Sequence, residues 1–472
     1  MPAASLETLL KPHPRVHVLK DGMPDPEGRC IVYWMQRAQR GVDNAALNLA
    51  IALGNALKRP VIAAFALTAA YPHAQRRHYR FLVEALPEIQ DQLGKRGVPL
   101  VVRLGSAPDV IPALINELRP AMLVGDVNPV RVPNDWRHQI ARSISVPFRV
   151  VDADVVVPSS LFIKQEFAAR TIRPKIHKVL AEYLKPIPNP NADIAAPPDL
   201  IPAGEPIDAN HLLERLNVGG VGEVKDYPGG PLEAMRRLKR FVNQRLDGYA
   251  TERNEPTPYT TSELSAHLHF GHINPLTIAL AVQERGAPPA DTDSLIEELI
   301  VRRELAINYV THNPKYDELA GCPAWALKTL EKHRSDPRVY LYTAEQLERG
   351  ESHDPLWNAA QKEMVLTGRM HNYLRMYWAK KILEWTPDPE TAFNITLDLN
   401  DRYEMDGRDP NGYVGVGWAI GGLHDRPWGE RAIFGTVRFM SYESTRKKFD
   451  SAGYIRRVSE IEKGTRIGRL FE

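Results

Sequence analysis

Apolar residues in the first third of the chain fall into short runs, separated by segments in which they recur every three or four positions. The runs Cys30–Met35 (CIVYWM), Val61–Leu67 (VIAAFAL), Pro99–Gly105 (PLVVRLG), Ala121–Asp126 (AMLVGD) and Phe148–Pro158 (FRVVDADVVVP) read as strands. Between the first two, Asp43 or Asn44 stands at a helix N-cap ahead of Leu47, Ala50, Ile51 and Leu57. Strands alternating with helices predict an α/β amino-terminal domain, a doubly wound parallel sheet covered on both faces. It has no G-x-G-x-x-G turn, so the usual dinucleotide fingerprint is missing.

From Pro186 to Gly230 the pattern breaks: eight prolines and two Gly-Gly pairs interrupt regular structure and suggest an interdomain connection. Beyond Leu232 the spacing becomes helical, in LEAMRRLKRFVNQRL, SELSAHLHF, SLIEELIVRRELAINYV, PLWNAAQKEMVLTGRMHNYLRMYWAKKILEWT and TAFNITLDLNDRYEM. The expected organisation is an α/β domain over 1–180, a linker over 181–230 and an all-α domain over 231–472.

Composition narrows the class of protein. With 472 residues and 43% hydrophobic content, the chain can build two or three cores. Cys30 and Cys322 are its two cysteines and are far from any ligand-spaced partner, so neither a disulfide framework nor a metal site is expected. The stretch Met1–Arg15 lacks a signal-peptide core and no apolar run reaches spanning length, which predicts a cytoplasmic protein without membrane contact. The net charge of +2 announces no polyanion, yet residues 424–472 hold eleven Lys/Arg against seven Asp/Glu. That local excess suits a phosphate backbone.

Four segments carry candidate chemistry. Thr260, Thr261 and Ser262 place hydroxyls ahead of a helix, with Glu263 at capping-box spacing from Thr260, which describes either a plain N-cap or a phosphate cradle. In MHNYLRMYWAKKILEW, Asn372 and Arg375 share a helix face while Trp378 and Trp385 lie along a neighbouring stripe. Trp357 sits on the preceding helical run and would approach Trp378 in an antiparallel hairpin; core packing alone also accounts for all three. The polar, glycine-rich run Asn400–Trp418 reads as a surface loop or as backbone able to approach a flat ligand. His424-Asp425 lacks a nucleophile-elbow partner, so hydrolase chemistry has little support.

Taken together, these segments resemble the photolyase/cryptochrome family, and their wording resembles its class II cyclobutane pyrimidine dimer branch. The resemblance runs over YWMQRAQRGVDNAALNLAIALG, KQEFAARTIRPKI, YTTSELSAHLHFGHI, EELIVRREL, HDPLWNAAQKEMVLTGRMHNYLRMYWAKKILEW and DGRDPNGYVGVGWAIGGLHDR, nearly the whole chain. It implies an amino-terminal domain able to hold an antenna chromophore of deazaflavin type, and a helical domain that binds a U-shaped FAD, active when reduced.

Carried over residue by residue, Tyr249, Thr261, Ser262, Leu264 and Ser265 would hold the flavin phosphates. Arg375, partnered by Asp406, would lie against the isoalloxazine, with Asp425 also cofactor-facing. Asn400 would face flavin N5 and favour the reduced or semiquinone states over the oxidised one. Glu298, Asn372, Met376 and Trp418 would contact a flipped-out dimer, and Trp357, Trp378 and Trp385 would conduct electrons to the flavin. Arg253 would clamp the lesion, and Arg426, Arg431, Arg438, Arg446, Lys447 and Lys448 would contact DNA phosphates.

The chain departs from the class I branch at Val301-Arg302, where that branch carries a Trp, so Trp418 becomes the expected wall of the dimer site. The function implied is light-driven repair of pyrimidine dimers in double-stranded DNA by a monomer, nucleoid-associated or, in a eukaryote, nuclear. A cryptochrome-type light receptor without repair activity is the alternative, and a nucleotide-using α/β enzyme is a more remote one.

Overall fold

The computed structural model describes residues 5–257 and 260–464. Tyr259 of the hydroxyl-rich segment and residues 465–472 of the basic tail lie outside that range.

Six strands form one sheet: β1 (Val16–Lys20), β2 (Ile31–Trp34), β3 (Val61–Leu67), β4 (Leu100–Leu104), β5 (Met122–Asp126) and β6 (Phe148–Val151), in the order β1-β6-β5-β2-β3-β4. The period-two alternation predicted for a doubly covered sheet is visible in β2. Ile31 and Tyr33 enter the core shared with helices Ala45–Leu57 and Arg76–Gly94, whereas Val32 and Trp34 enter the opposite core with Ala107–Leu118 and Arg131–Ser143. Asn44, not Asp43, caps the first of these helices, accepting from the N–H groups of Ala46 and Leu47 at 3.1 Å.

Two expectations are corrected. The edge strand β1 pairs antiparallel with β6 and was not anticipated, because its half-exposed residues form no apolar run. The run Phe148–Pro158 is a strand only to Val151. Beyond it Asp152 accepts the Ser159 N–H at 2.7 Å, and Val156, Val157 and Phe162 enter a core with Leu238, Phe241 and Ile278 of the helical half.

The proline-rich segment lies along the α/β half. Arg96 donates to the Pro190 carbonyl, Glu205 N–H donates to the Val102 carbonyl at 2.8 Å, and the helix Ala209–Leu216 buries Leu212, Leu213 and Leu216 in the sheet-side core. The helical half is built on two cores, one around Trp357 and Trp378 and one around Tyr249, Leu264 and Leu299. No helix among the described residues is long and apolar enough to cross a membrane.

The halves are joined by buried charge. Arg37 donates from Nε to Asp154 (2.7 Å) and from Nη2 to Asp409 (2.8 Å), Arg303 pairs with Asp154, and His269 reaches Asp409 at 3.2 Å. Arg77 donates to the carbonyls of Val365 (2.7 Å) and Tyr403 (2.9 Å), at the carboxyl ends of helices Pro355–Thr367 and Pro389–Tyr403, where a cation meets the negative end of the helix dipole. Removing one partner of a buried pair strands the other charge, so Arg37→Ala should lower stability by about 3–5 kcal/mol, measurable as a lower urea midpoint.

Candidate functional site

Helices Pro355–Thr367 and Asn372–Trp385 form a hairpin whose turn contains Gly368 at φ +67°; a Cβ there would come within 2.5 Å of Met405. Asp354 caps the first helix through the N–H groups of Leu356 and Trp357 and also accepts the Tyr377 hydroxyl from the second. The hairpin stacks Trp357 on Trp378 with ring centroids 6.5 Å apart and planes 10° from parallel, and sets Trp385 edge-on to Trp357 at 5.5 Å.

All three indoles are buried, and the inner two have their N–H groups satisfied, Trp357 by the Trp378 carbonyl (2.9 Å) and Trp378 by Gln361 (2.8 Å). Gln361, which the sequence reading did not single out, thereby fixes the Trp378 ring. From Trp385 the aromatic contacts continue to Tyr342 at 5.6 Å and His353 at 5.1 Å.

One turn before Trp378, Arg375 pairs with Asp406 at 3.2 Å and with Glu404 at 2.9 Å. Burial pushes the Glu404 carboxyl up to about 8, against the pull of Arg375. Glu404 belonged to a segment read as loop, and nothing in the sequence marks it as interior. Asn400, also buried, sits on the helix Pro389–Tyr403.

The following residues correct the loop expectation. Asp409 and Pro410 start a helix, Pro410–Gly421, which carries Trp418. Its glycines serve a different purpose from the one expected: a Cβ on Gly412 would lie 2.9 Å from Asn400 Nδ2.

Glu298 lies in a π-helical turn, Glu297–Arg302, a local geometry that redirects side chains and recurs at functional sites. It pairs with Arg253 at 3.0 Å, and both flank Tyr249, whose phenol burial pushes up to about 12. Asn372 is exposed at the head of its helix, with His371 as the cap.

The capping box expected at Thr260 and Glu263 does not form. Thr260 instead donates to the Glu252 carbonyl at 2.9 Å, and the helix begins at Ser265 and ends at His269, too short to carry much dipole. Thr261 and Ser262 are half-buried, Ser265 is exposed, and Leu264 packs into the core that contains Tyr249.

Glu263 points inward at φ +57°, and its carboxylate meets Arg369 (2.6 Å), Arg245 (3.1 Å), Arg237 (3.5 Å) and Arg240 (3.7 Å). Tyr227 donates its hydroxyl to the Glu263 carbonyl at 2.6 Å, and Arg237 and Arg369 lie over its ring. Burial alone would raise the Glu263 carboxyl; Arg369 and its neighbours outweigh it and hold the group at about 2.

On the carboxyl-terminal side, a cavity of about 360 Å³ brings Met376 and Trp418 together with Arg431, Arg438 and Lys448. Arg438 lies over the rings of Trp428 (4.7 Å) and Trp418 (5.8 Å), and Arg426 over Trp428 (5.3 Å). Asp425 accepts the Trp428 indole N–H at 3.3 Å, which places it on this face. Arg446 is tied to Glu443 at 2.8 Å, and Lys447 is exposed. Lys380, which the sequence reading passed over, is fully buried with its ammonium 4.8 Å from the Trp418 ring, and burial pulls it down to about 7.

Comparison with known proteins returns photolyases and, at lower identity, cryptochromes. Residues 31–191 match the family model described as DNA photolyase. The chain is 40% identical to a deoxyribodipyrimidine photo-lyase of Methanothermobacter thermautotrophicus over 94% of this chain and 98% of that one. It is 41% identical to a protein of the same name from Oryza sativa subsp. japonica, over 95% and 90%. Among solved structures, an archaeal photolyase from Sulfolobus tokodaii with two FAD molecules superposes with a TM-score of 0.68 at 17% identity, covering 93% of this chain and 95% of that one.

Because the folded-state value of Glu263 is depressed, its stabilising contribution is present above the ordinary carboxylate value of 4.5 and is lost as pH falls towards 2. Glu263→Gln should therefore cost about 3 kcal/mol at neutral pH and flatten that acid limb, as read from urea midpoints across the pH range.

Proposed function

The chain belongs to the DNA photolyase family, and from that premise we propose how its residues divide the work of light-driven DNA repair. It is an enzyme, a lyase that returns pyrimidine dimers in DNA to separate pyrimidines, and a flavoprotein that uses FAD. We infer that it is of the class II type and acts as a monomer, since one chain supplies every group named below.

The observation that carries the reading is the single helix Asn372–Trp385, which bears Arg375 and, one turn later, the buried stack begun by Trp378. The residues present fit a flavin. Arg375 Nε is buried without a hydrogen-bond partner among the described residues, and the neighbouring Asn400 amide oxygen receives no hydrogen bond from them. Reduced FAD, when bound, supplies the photoexcited electron donor for ring opening and takes the electron back afterwards.

In this reading Arg375, oriented by Asp406 and Glu404, lies against the flavin ring, and Asn400 faces N5. Tyr249, Thr261, Ser262, Leu264 and Ser265 hold the phosphates, on a loop whose backbone Glu263 fixes from beneath. Trp378, Trp357 and Trp385 offer a dry path of closely spaced indoles by which the flavin is kept reduced.

The dimer must leave the base stack to reach the flavin, because atoms inside the duplex are out of reach. Met376 and Trp418 wall the cavity that would receive it, with Asn372 at its helix head and Glu298 presented by Arg253. A carboxyl hydrogen-bonded to a pyrimidine would stabilise charge that develops on the lesion. Arg426, Arg431, Arg438, Lys447 and Lys448 surround this face and would hold the backbone in a salt-sensitive manner. Arg446 is partly neutralised by Glu443 and would contribute less.

A second cavity supports an antenna of deazaflavin type. It lies at the carboxyl ends of β2 and β3, where open α/β sheets bind ligands, and is lined by Trp34, Phe65, Tyr71, Tyr79 and Trp136. These aromatic walls suit a planar chromophore.

The test is repair of a dimer-containing oligonucleotide by the reduced protein in blue or near-ultraviolet light against darkness, with dimer loss followed by chromatography. Light-dependent loss is expected; bound flavin without repair would move the chain to light sensing. Trp378→Phe should abolish light-driven flavin reduction, seen as unchanged oxidised absorbance under illumination, while chemically reduced enzyme still repairs. Loss of both would mean that Trp378 is structural.

A further inference from the structure

Among the described residues, the Asn400 side chain is held from one side only. Its Nδ2 donates to Asp401 Oδ1 at 2.9 Å, and the same oxygen accepts the backbone N–H of Arg408 at 2.7 Å. Arg408 Nη1 donates to the Asp401 carbonyl at 2.5 Å and lies 3.1 Å from both ring nitrogens of His78. Asn400, Asp401, Arg408 and His78 are all buried. Gly407 and Gly412 press on Asn400 so closely that a Cβ would stand 2.7 Å from its carbonyl oxygen or 2.9 Å from its Nδ2, which leaves the amide little room to shift.

The two ends of an amide are chemically opposite: the nitrogen donates and the oxygen accepts. An ionised carboxylate accepts only, so Asp401 selects the NH₂ end and turns the oxygen the other way. Burial outweighs the Arg408 guanidinium and holds the Asp401 carboxyl above its usual range, but the Arg408 backbone N–H donates to the same Oδ1 and so fixes that oxygen as an acceptor.

We propose that Asp401, braced by Arg408, is a positioning residue that fixes the Asn400 amide so that its oxygen faces the bound flavin. The inference rests on the reading that Asn400 faces flavin N5. An acceptor oxygen at that place favours a nitrogen that carries a proton, the reduced form from which repair starts; an NH₂ group there favours the bare nitrogen of the oxidised form. The difference amounts to one hydrogen bond made or opposed, a factor of about ten in the reduced-to-oxidised ratio.

The test uses the flavin-loaded protein and reads the reduced-to-oxidised ratio by absorbance against a redox dye at fixed potential. Asp401→Asn replaces an obligate acceptor by a group that also donates, so the amide is no longer held in one orientation. The ratio should fall about tenfold, a shift of about 30 mV for a two-electron couple. Simple electrostatics gives the opposite sign, because loss of a negative charge beside the flavin makes reduction easier. A rise in the ratio therefore overturns the proposal.

In an Asn400→Ala background, Asp401→Asn should have no further effect; an equal effect with and without the amide means that Asp401 does not act through it, and overturns the proposal. If Asp401→Asn does not fold, Arg408→Lys decides, with a smaller fall expected and an unchanged ratio overturning the inference. An Asn400→Ala protein that binds flavin with an unchanged ratio would instead overturn the reading of Asn400, and this inference with it.

Discussion

Two carboxylates, Asp154 and Asp409, one on each half of the molecule, are buried where neither can be hydrated, and both depend on Arg37. Burying a charge without a partner costs several kcal/mol, so the halves can only meet in the arrangement that brings Arg37, Arg303 and His269 to these oxygens. Asp409 is also the cap of the helix that carries Trp418, and its neighbour Arg408 braces Asp401 against Asn400. The interface and the Asn400 side chain are therefore tied to consecutive residues, Arg408 and Asp409.

The tryptophan hairpin is built by ordinary core packing. Each indole fills apolar volume, and the two inner ones place their single donor on a fixed acceptor, so the rings have one orientation and no reason to admit water. In its contacts the stack does not differ from a well-packed core. Arg375 lies on the same helix, yet spacing along the sequence favours plain core, and only the family resemblance points to electron transfer.

The parts of the fold carried by periodicity were legible: five of the strands, the cap at Asn44 and the helical runs from Pro231 onward. Legibility failed where side chains obey distant partners. The edge strand Val16–Lys20 is specified by pairing with Phe148–Val151, not by its own apolarity. The helix Pro410–Gly421 looks like a loop because its glycines are demanded by close neighbours such as Asn400 and Leu423, while Asp409 and Pro410 quietly supply a good helix start. Glu263 read as a capping residue because local spacing allows it; four arginines from elsewhere draw it inward. Of the site residues, Arg375 and Asp406 come together, as do Glu298 with Arg253 and Met376 with Trp418, whereas Asp425 sits with Trp428.

The loop beginning at Thr260 takes its form through Glu263 from Arg245, 18 residues before that glutamate, and Arg369, 106 residues after it. Glu263 also holds a left-handed backbone conformation that a residue with a side chain adopts only when its surroundings compel it. Contacts of such sequence separation close after local helices have formed. The loop therefore cannot take this form on a nascent chain before Arg369 has been synthesised. In the cell, this loop waits for more than a hundred further residues before its form is complete.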